Sequence, residues 1–578
     1  MRQPSVARKN GTENRSLPGW CPAALAAGLW AASLPPIGIG VLSFLAPAAF
    51  LLLCLPKQAP TNLRVVFWWG LMQWMLTFHF IRLPHWAGWV GWPILGGYFA
   101  CYNVLLVAGT RRLIHRAGWP PFLTLPMVWV SLELLRSTLL TGFPMGQLGH
   151  SLFRYPLLIQ TADLAGDLTV SFLVSLVGAS SAELFLARTR RNWLPMAALG
   201  GSLGLMFGYG YWGFVTYEIP KSDGKSVRVA LIQGARDVRF GLTAEEDRQE
   251  TLQSFRSHQQ LTARARQNGA DVVVWAESMF PATDVLPFDA EQYLQLIETR
   301  RAADDSLRTP PSLELIESLQ QELPFQVRET TGTGPVGVYP YQTSVPLIVG
   351  MRSFDPIADA DYNAAVYFDR DGHVAHRYFK FHLVPFGEYL PLGETFPWLY
   401  QMAPMSRGLT PGPGVAIFAV NGRRFVPTIC YESVIGRVVR DYLLSDQHES
   451  TPPASHCDAL LNVSNDGWFW GASALDLHLA SNVFRAVENR TPHFVVCNTG
   501  ISAEIDPSGR IVQELPKREQ GMLLVDSYPR PAAWFPYWWK VGNGPWWLLT
   551  AILVLGLVRS WVPRVRSDRS NGSVRSAR

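Results

Sequence analysis

The chain has 578 residues, which is room for more than one domain, and a formal net charge of only +5. Hydrophobic residues make up 48% of the chain, charged residues make up 16%, and tryptophan occurs 22 times, a mix typical of membrane proteins. The small net charge argues against nucleic acid as a partner. The six cysteines have no paired spacing, so the sequence predicts neither a disulfide framework nor a zinc site.

Long apolar runs fill the first part of the chain, and one more lies near its C-terminus. Most are close to the ~20 residues that cross the hydrocarbon layer of a bilayer. The predicted spans are 22–34, 37–55, 63–83, 89–109, 122–140, 168–187, 193–215 and 545–562. The first run is short and is closed by Pro35 and Pro36. A signal peptide is its alternative interpretation, although no clear small-residue cleavage site follows it.

Basic residues between these runs predict the orientation of the chain. If the N-terminus is cytoplasmic, alternation of the spans places every basic cluster on the cytoplasmic side, as the positive-inside tendency requires. The clusters are Arg2, Arg8, Lys9 and Arg15; Lys57 and Arg64; Arg111, Arg112 and Arg116; Arg188, Arg190 and Arg191; and Arg564, Arg566, Arg569, Arg575 and Arg578. The long segment before the last span is therefore expected outside the cytoplasm, in a periplasm-like space.

Two charged residues, Glu133 and Arg136, fall within the fifth predicted span. Because they are three residues apart they share a helix face, where charge is costly unless it is paired or faces a watery cavity. A structural ion pair and a contact with a lipid headgroup are equally good interpretations. The following stretch, TGFPMGQ (141–147), contains helix breakers and is predicted to be a re-entrant or membrane-surface loop.

From about residue 226 the pattern changes to short apolar strands that alternate with amphipathic helices. This alternation predicts a layered α/β domain. The predicted strands are 226–234, 270–278, 344–351, 363–369, 423–430, 458–466 and 493–500, followed by a hairpin at 502–512, and the predicted helices are 243–268 and 474–490. Residues 283–343 fit this pattern poorly and are expected to form an extended surface insertion with one helix near 311–322.

These patterns predict a complete domain order. The segments are a cytoplasmic N-terminus (1–21), a membrane domain of about seven spans (22–220), an exterior domain (222–535), a last transmembrane helix (545–562) and a basic, disordered cytoplasmic tail (563–578).

Three reactive side chains stand at or near the ends of predicted strands. Glu277 closes VVVWAE, Cys430 closes FVPTIC, and Lys380 follows a hairpin-like DRDGH. Ligands tend to bind at the carboxyl ends of strands in α/β domains. A thiol needs a base, which a shielded carboxylate can provide, and a nearby lysine favours the thiolate and can stabilise an oxyanion. The three residues therefore suit acyl transfer.

Each of these residues also has an ordinary structural interpretation when it is taken alone. A cysteine at a strand end is usually a small buried hydrophobic residue. A glutamate after a strand is usually a solvated cap, and a lysine between aromatic residues usually extends its stem along the surface.

Their surroundings carry a family resemblance. The relevant stretches are VVVWAES (272–278), YFKFHLVPFGEYLP (378–391), ICYE (429–432), NVSNDGWF (462–469), RAVENRTPHFVVCNTGISAEIDPSGRI (485–511) and, in the membrane part, ELLRSTLLTGFP (133–144). Through them the chain resembles the apolipoprotein N-acyltransferases, a family within the nitrilase (carbon–nitrogen hydrolase) superfamily. The resemblance covers nearly the whole chain apart from the insertion and the tail.

The resemblance implies site residues and a fold. It implies a Glu-Lys-Cys triad of Glu277, Lys380 and Cys430. It also implies a supporting glutamate, Glu388, in PFGE. Further supporting or substrate-binding positions are Tyr431, Glu432 and Arg136. The implied fold is a four-layer αββα sandwich on an eight-helix membrane base.

The resemblance also implies a reaction in two steps. Cys430 takes a fatty acyl chain from a phospholipid as a thioester, and the N-terminal amine of an S-diacylglyceryl-cysteine lipoprotein then accepts that chain. The partners are therefore a phospholipid donor and a lipoprotein acceptor. Neither a metal nor a diffusible cofactor is required. The implied location is the bacterial inner membrane, with the catalytic domain on the periplasmic side.

The chain departs from the family pattern in three places. Met145 stands in GFPM where the family typically has tryptophan, and Phe240 replaces another family aromatic residue. Both positions keep an apolar side chain, so they bear on substrate entry more than on chemistry. The insertion 283–343 also lengthens the stretch between Glu277 and Lys380, as a lid, a partner surface or an idle surface loop.

Other functions are compatible with parts of this pattern. A membrane-tethered amidase or nitrile hydrolase would keep the triad but release its acyl group to water, although a soluble substrate needs no membrane base. A non-catalytic lipid-binding scaffold with a degenerate nitrilase fold would be expected to lack a triad member, and none is missing. A transporter is compatible with the span count, but the basic-loop pattern and the large exterior domain give it little support.

Overall fold

The structure is a computed structural model. It describes residues 20–56, 62–186, 193–218, 226–239, 241–281, 283–286, 295, 345–402, 407–445, 457–531 and 534–561. The cytoplasmic N-terminus up to residue 19, the basic tail 563–578, Phe240 and most of the predicted insertion 283–343, with its helix near 311–322, lie outside these residues.

The described part of the first 220 residues is helical. The helices are α1 (Cys21–Ser33), α2 (Leu45–Cys54), α3 (Leu63–Thr77), α4 (Gly88–Arg112), α5 (Pro121–Arg136), α6 (Pro156–Ile159), α7 (Ala162–Ala165), α8 (Asp167–Leu186), α9 (Trp193–Gly204) and α10 (Gly210–Thr216). Their starts follow local chemistry. Asn62 caps α3 by accepting a hydrogen bond from the Arg64 amide at 3.1 Å, and α5 begins at Pro121, where a missing amide proton costs nothing.

Helices occupy all eight predicted spans, but within the described residues two are long and apolar enough to cross a membrane. These are the helical stretch Gly88–Ala117 and α8. The apolar helices at Cys21–Ser33, Gly40–Cys54 and Gly544–Arg559 are shorter. In α8, 67% of the most apolar 18-residue stretch is buried inside the protein. Length and hydropathy thus support a membrane location only weakly, and the eight-span bundle stays a prediction.

The chain after residue 220 forms an α/β domain with thirteen described strands. They are β1 (Val227–Gln233), β2 (Val272–Trp275), β3 (Thr283–Val285), β4 (Leu347–Asp355), β5 (Ala360–Phe368), β6 (Val374–Phe379), β7 (Phe418–Val420), β8 (Arg423–Ile429), β9 (Ala459–Ser464), β10 (His493–Cys497), β11 (Ala503–Ile505), β12 (Ile511–Glu514) and β13 (Gly521–Ser527). The helices described after residue 220 are α11 (Ala244–Gln267), α12 (Gly436–Ser445), α13 (Ala474–Asn489), α14 (Trp538–Val541) and α15 (Gly544–Arg559).

The strands form two mixed sheets. The first has the order β13-β1-β2-β4-β5-β6, with β3 paired to β4, and the second has the order β12-β11-β10-β9-β8-β7. The central pairs β1–β2, β2–β4, β8–β9 and β9–β10 are parallel. The predicted hairpin is confirmed, because β11 and β12 pair antiparallel. The start of the predicted insertion is not a surface loop, since β3 lies in the sheet and its Asp284 is buried against Arg377.

The two sheets pack face to face between helices. In β1, Val229 and Leu231 join the core between the sheets, where they meet Phe425 and Val463 of the second sheet. The alternate residues of β1 face α11, as the period of two in a strand requires. Helix α12 covers the outer face of the second sheet. The predicted layered α/β fold is therefore confirmed, with α11, two sheets and α12 with α13 as its four layers.

Helix α13 joins the α/β domain to the helical half of the chain through buried arginines. Arg490 directly follows the last residue of α13. Its fully buried guanidinium donates to Asp163 at 2.6 Å and to the side chain of Gln160 at 2.6 Å. One turn earlier, Arg485 donates to Asp167 at 2.9 Å. Buried charge is tolerated only where it is paired in this way, so these contacts fix how the two halves meet.

Replacing Arg490 with alanine should weaken this junction strongly. The change leaves the buried Asp163 carboxylate without its cationic partner, which costs about 3–5 kcal/mol of stability. The matched control is Arg154→Ala, which removes the exposed pair between Arg154 and Glu514 across the same two halves and should cost about 0–1 kcal/mol. Thermal unfolding of both purified variants in detergent measures the difference, and equal shifts would contradict the role of Arg490.

Candidate active site

The three predicted reactive residues lie at one end of the two sheets. Glu277 follows β2, Lys380 follows β6 directly, and Cys430 follows β8 directly. The Lys380 ammonium nitrogen is 3.8 Å from a carboxylate oxygen of Glu277. The Cys430 thiol is close enough to Glu277 and Lys380 for both charges to shift its pKa. The structure thus brings these residues together from strands of both sheets.

Lys380 is almost fully buried, with 1% of its surface exposed. Its ammonium group donates to Glu388 at 2.9 Å, and this pairing places the fourth predicted residue in the same site. Burial by itself lowers the pKa of Lys380, but the carboxylates of Glu388 and Glu277 outweigh it and leave that pKa raised. The lysine is therefore a permanent cation in a site with little water.

An asparagine holds the two glutamates in place. The side-chain amide of Asn363, on β5, donates to Glu277 at 2.6 Å and to Glu388 at 2.8 Å. The backbone amide of Asn465 donates to the other Glu277 oxygen at 2.8 Å. Burial nevertheless raises the pKa of Glu277, with the Lys380 charge opposing the change. A carboxylate with a raised pKa is a stronger base, which suits proton transfer from a thiol.

Close backbone packing sets the position of Glu277. Gly350 on β4 lies directly against it, and a Cβ atom added there would be 2.3 Å from the Glu277 Cα atom. Real contacts of this kind do not occur, so a residue larger than glycine at 350 requires the backbone at Glu277 to move.

Cys430 adopts a backbone conformation that is rare for its type. Its φ of +51° is left-handed, and a 3₁₀ turn, Cys430–Val434, starts at this residue. The residue is partly exposed. Burial of the sulfur, together with the Glu277 charge, raises the pKa of the thiol well above its usual value, while Lys380 opposes the shift. The free thiol is therefore protonated at neutral pH and depends on a base for reaction.

Glu432 connects the turn of Cys430 to the loop after Lys380. It is fully buried, and its carboxylate accepts hydrogen bonds from the amides of Phe381 at 2.8 Å and Ile429 at 2.7 Å. The Tyr378 and Tyr442 hydroxyls donate to it at 2.8 and 3.0 Å. With this set of donors Glu432 is placed to hold the nucleophile and the lysine at a fixed separation.

Tyr431 extends from the α/β domain to the helical half of the chain. Its hydroxyl donates to the Gly142 carbonyl at 3.1 Å, and its ring centroid is 6.3 Å from that of Phe143. These partners belong to the predicted membrane-surface loop TGFPMGQ. The reactive end of the exterior domain therefore faces the helical half of the chain.

Arg136 contacts the same loop, TGFPMGQ (141–147). Its guanidinium donates to the Met145 carbonyl at 2.8 Å and lies 5.2 Å from the ring centroid of Trp74. Glu133 instead accepts from the Leu148 amide at 2.7 Å. Both residues belong to the described part of the chain, and no ion pair within 4 Å joins them. Their charges interact without a contact of 4 Å or less, and both the structural pairing and the lipid contact stay predictions.

Two groups of potential metal ligands occur within the described ranges. Asp466, His478 and Cys497 form a buried cluster, and Asp369, Asp371 and His373 form one at an exposed turn. In the buried cluster His478 and Asp466 already face each other at 3.3 Å, so these atoms serve as partners for one another.

The sequence analysis missed several polar residues around the triad. The structure places Asn363, Asn462, Ser464 and His478 around the triad. The sequence predicts them only as parts of strands, of a helix or, for Asn462 and Ser464, of the resembling stretch NVSNDGWF, and assigns none of them a role. Their signal was a polar side chain in an otherwise apolar run, which is costly to bury without a partner. That signal identifies a buried polar group but not its partner, which only the sheet register supplies.

Comparisons with known proteins agree with this geometry. Residues 228–528 match the model of the carbon-nitrogen hydrolase family, and residues 26–180 match that of the apolipoprotein N-acyltransferase N-terminal domain. A relative from Rhodopirellula baltica named apolipoprotein N-acyltransferase is 27% identical over 92% of this chain and 95% of its own length. One of the same name from Geobacter metallireducens is 28% identical over 87% of this chain and 88% of its own.

Among solved structures, Saccharomyces cerevisiae Nit3, a nitrilase-superfamily member, is similar to this chain. It is 17% identical, and the match covers 54% of this chain and 94% of that protein with a TM-score of 0.32.

Substituting alanine for Gly350 should displace Glu277 and slow the reaction of Cys430. Misplacement of a catalytic group by about 1 Å costs on the order of 10²-fold in rate. The alkylation rate of Cys430 by iodoacetamide, followed by mass spectrometry, reports the change. The matched control is Gly521→Ala on β13 of the same sheet, whose added Cβ meets only the flexible Leu515 side chain, at 3.1 Å. Equal rates in the two variants would show that Gly350 does not set the position of the base.

Proposed function

The chain belongs to the carbon–nitrogen hydrolase family, and on that premise we propose that it is an acyltransferase that completes lipoprotein maturation. It moves a fatty acyl chain from a membrane phospholipid to the N-terminal amine of S-diacylglyceryl-cysteine in apolipoproteins. The observation that carries the proposal is the junction at Tyr431, where a Glu-Lys-Cys site faces a loop of the helical half. The names of the full-length relatives support the same activity.

In the first half-reaction Cys430 is the nucleophile. Glu277 takes the thiol proton as the sulfur attacks the ester carbonyl carbon of a phospholipid. The resulting oxyanion lies near the Lys380 ammonium, which stabilises it. The intermediate then breaks its carbon–oxygen bond, and the alkoxide of the lysophospholipid leaves with the proton held by Glu277. Cys430 retains the acyl chain as a thioester.

In the second half-reaction the lipoprotein amine attacks the thioester carbonyl carbon. Glu277 accepts a proton from the amine, and the carbon–sulfur bond breaks to leave an amide. The proton returns to the Cys430 sulfur and restores the free thiol. A thioester is reactive enough for a neutral amine, and the limited access of water protects it from hydrolysis in the interval.

The supporting residues act on the geometry of this site. Glu388 keeps Lys380 charged and directed at the reaction centre, at 2.9 Å from its ammonium. Glu432 fixes the loops of Cys430 and Lys380 relative to each other. Tyr431 and Arg136 hold the loop at 142–145, past which both lipid substrates reach the sulfur.

Exposed apolar side chains close in sequence to site residues support the proposal that the substrates are lipids. Leu140, two residues before the Gly142 carbonyl that Tyr431 contacts, is 80% exposed. Phe386, two residues before Glu388, is 72% exposed. Large apolar side chains left in water near a reactive centre are typical of a lipid-facing surface.

The proposed membrane location follows from the lipid nature of both substrates. We place the chain in the bacterial inner membrane as a multi-pass protein of eight spans, with the exterior domain 222–535 on the periplasmic side. The tail 563–578 and the N-terminus 1–21 lie in the cytoplasm. The basic clusters of the sequence support this orientation.

Mixing the protein with phospholipid alone should leave an acyl adduct on Cys430 and on no other cysteine. Cys430→Ser should abolish the thioester adduct without unfolding the protein. Glu277→Gln should slow adduct formation by about 10²–10⁴-fold, because the general base is lost. Intact-protein and peptide mass spectrometry measure each outcome.

The control for this experiment is Cys457→Ser, since Cys457 is buried beside β9 and donates to the Ala459 carbonyl. It should form the adduct at the rate of the unmodified chain. An adduct on another cysteine, or none in the unmodified chain, would overturn the assignment. Release of free fatty acid in the presence of an acceptor peptide, with no acylated peptide, would favour the membrane-tethered amidase.

Cysteine labelling tests the orientation. A membrane-impermeant maleimide, added to cells with a permeabilised outer membrane, should label Val512→Cys, an exposed position on β12. Ser570→Cys in the tail should react only after the inner membrane is lysed. The parent chain gives the background from the native cysteines. Labelling of Val512→Cys only after lysis would reverse the topology.

A further inference from the structure

A buried histidine lies against the backbone of the nucleophile and takes no part in the mechanism above. His478, on α13, is 4% exposed. Its Nε2 atom is 3.2 Å from the carbonyl oxygen of Cys430, and its Nδ1 atom is 3.3 Å from a carboxylate oxygen of Asp466. The side chain thus lies between the nucleophile's own peptide group and a buried carboxylate.

The two contacts favour protonation of both ring nitrogens. A carbonyl oxygen and a carboxylate oxygen are both acceptors, so a ring that donates to both carries a proton on each nitrogen. The Ser433 hydroxyl, 3.1 Å from Nε2, also donates to the Cys430 carbonyl at 3.1 Å, so its oxygen is free to accept from Nε2. A neutral ring would instead direct an Nε2 lone pair at the Cys430 carbonyl.

Resting on the proposed function, we infer that His478 is a positioning residue that, as an imidazolium, holds the Cys430 peptide in its left-handed turn and so directs the sulfur at the substrate. Cys430 has a φ of +51°, which non-glycine residues rarely adopt without support. Three donors converge on its carbonyl: His478, Ser433 and the Asn462 side chain at 3.2 Å. His478 alone among these three side chains can carry a charge.

The charged surroundings support an imidazolium. Burial lowers the pKa of His478, but the Asp466 carboxylate outweighs it and leaves that pKa raised above the usual value. Glu277 acts in the same direction from the active site. Two further titratable neighbours within the described residues are Cys497, whose thiol hydrogen bonds to Asp466, and His493, whose pKa burial lowers to about 3. His493 is therefore neutral and leaves the His478 charge in place.

A graded set of variants separates positioning from simple packing. Glutamine at position 478 keeps an amide donor for the Cys430 carbonyl but no charge, and leucine keeps only the volume. We expect Cys430 adduct formation from phospholipid to be about tenfold slower in His478→Gln and about 10²-fold slower in His478→Leu. The matched control is His493→Leu, an equally buried histidine whose Nδ1 faces the Asn482 carbonyl at 3.3 Å. It should stay within about twofold of the unmodified chain.

The pH profile gives a readout that packing alone does not change. In the unmodified chain the adduct rate should fall as the pH rises through the raised pKa of His478, because the imidazolium is lost there. In His478→Gln this alkaline limb should be absent, since nothing at position 478 titrates. His493→Leu should retain it.

Each outcome bears on one claim. If the unmodified chain forms no adduct on Cys430, the proposed function fails and not the positioning role alone. If it forms the adduct and His478→Gln matches it in both rate and pH profile, the role of His478 is wrong. Should His478→Leu fail to fold, His478→Gln decides the question by itself, with thermal unfolding in detergent as the check on its fold.

Discussion

The buried ammonium of Lys380 is the constraint on which the active site depends. A cation with 1% of its surface exposed is stable only where carboxylates face it, and Glu277 and Glu388 supply them. These residues follow different strands or loops, so the sheets have to bring them to one end within ångströms. Asn363 bonds to both carboxylates, Gly350 packs against the Glu277 backbone, and Glu432 binds the amides beside Lys380 and Cys430.

Helix α13 connects the active site to the helical half of the molecule. Arg485 and Arg490 extend from α13 into that half and pair with Asp167 and Asp163. Helix α13 also carries His478, which contacts the Cys430 carbonyl. One helix therefore links the helical base, the nucleophile and the second sheet. A disturbance at the junction is expected to reach the sulfur through a rigid element rather than through a loop.

Much of the fold was predictable because it depends on local pattern. The runs VRVALIQ and VVVW predict buried strands from their own residues, and Glu277 and Cys430 follow strands whose ends are visible in sequence. Partners distant in the chain were not predictable. The contact of Asn363 with two glutamates depends on the pairing of β4 with β5, and that of Tyr431 with Gly142 depends on how two halves dock. Glu133 and Arg136 share a helix face, yet their hydrogen bonds go to the Leu148 amide and the Met145 carbonyl, which the sequence did not indicate.

The pairing of β1 with β13 has a consequence for biosynthesis. Val227 lies opposite Ser527, so the first strand of the exterior domain needs the last one as its edge partner. The ribosome synthesises the chain from its N-terminus, so one edge of β1 stays unpaired until β13 has been synthesised. Such a distant pairing makes folding slow. The first sheet, whose strands precede Glu277 and Lys380, is thus completed only after every strand of the second sheet, which leads to Cys430, has been synthesised.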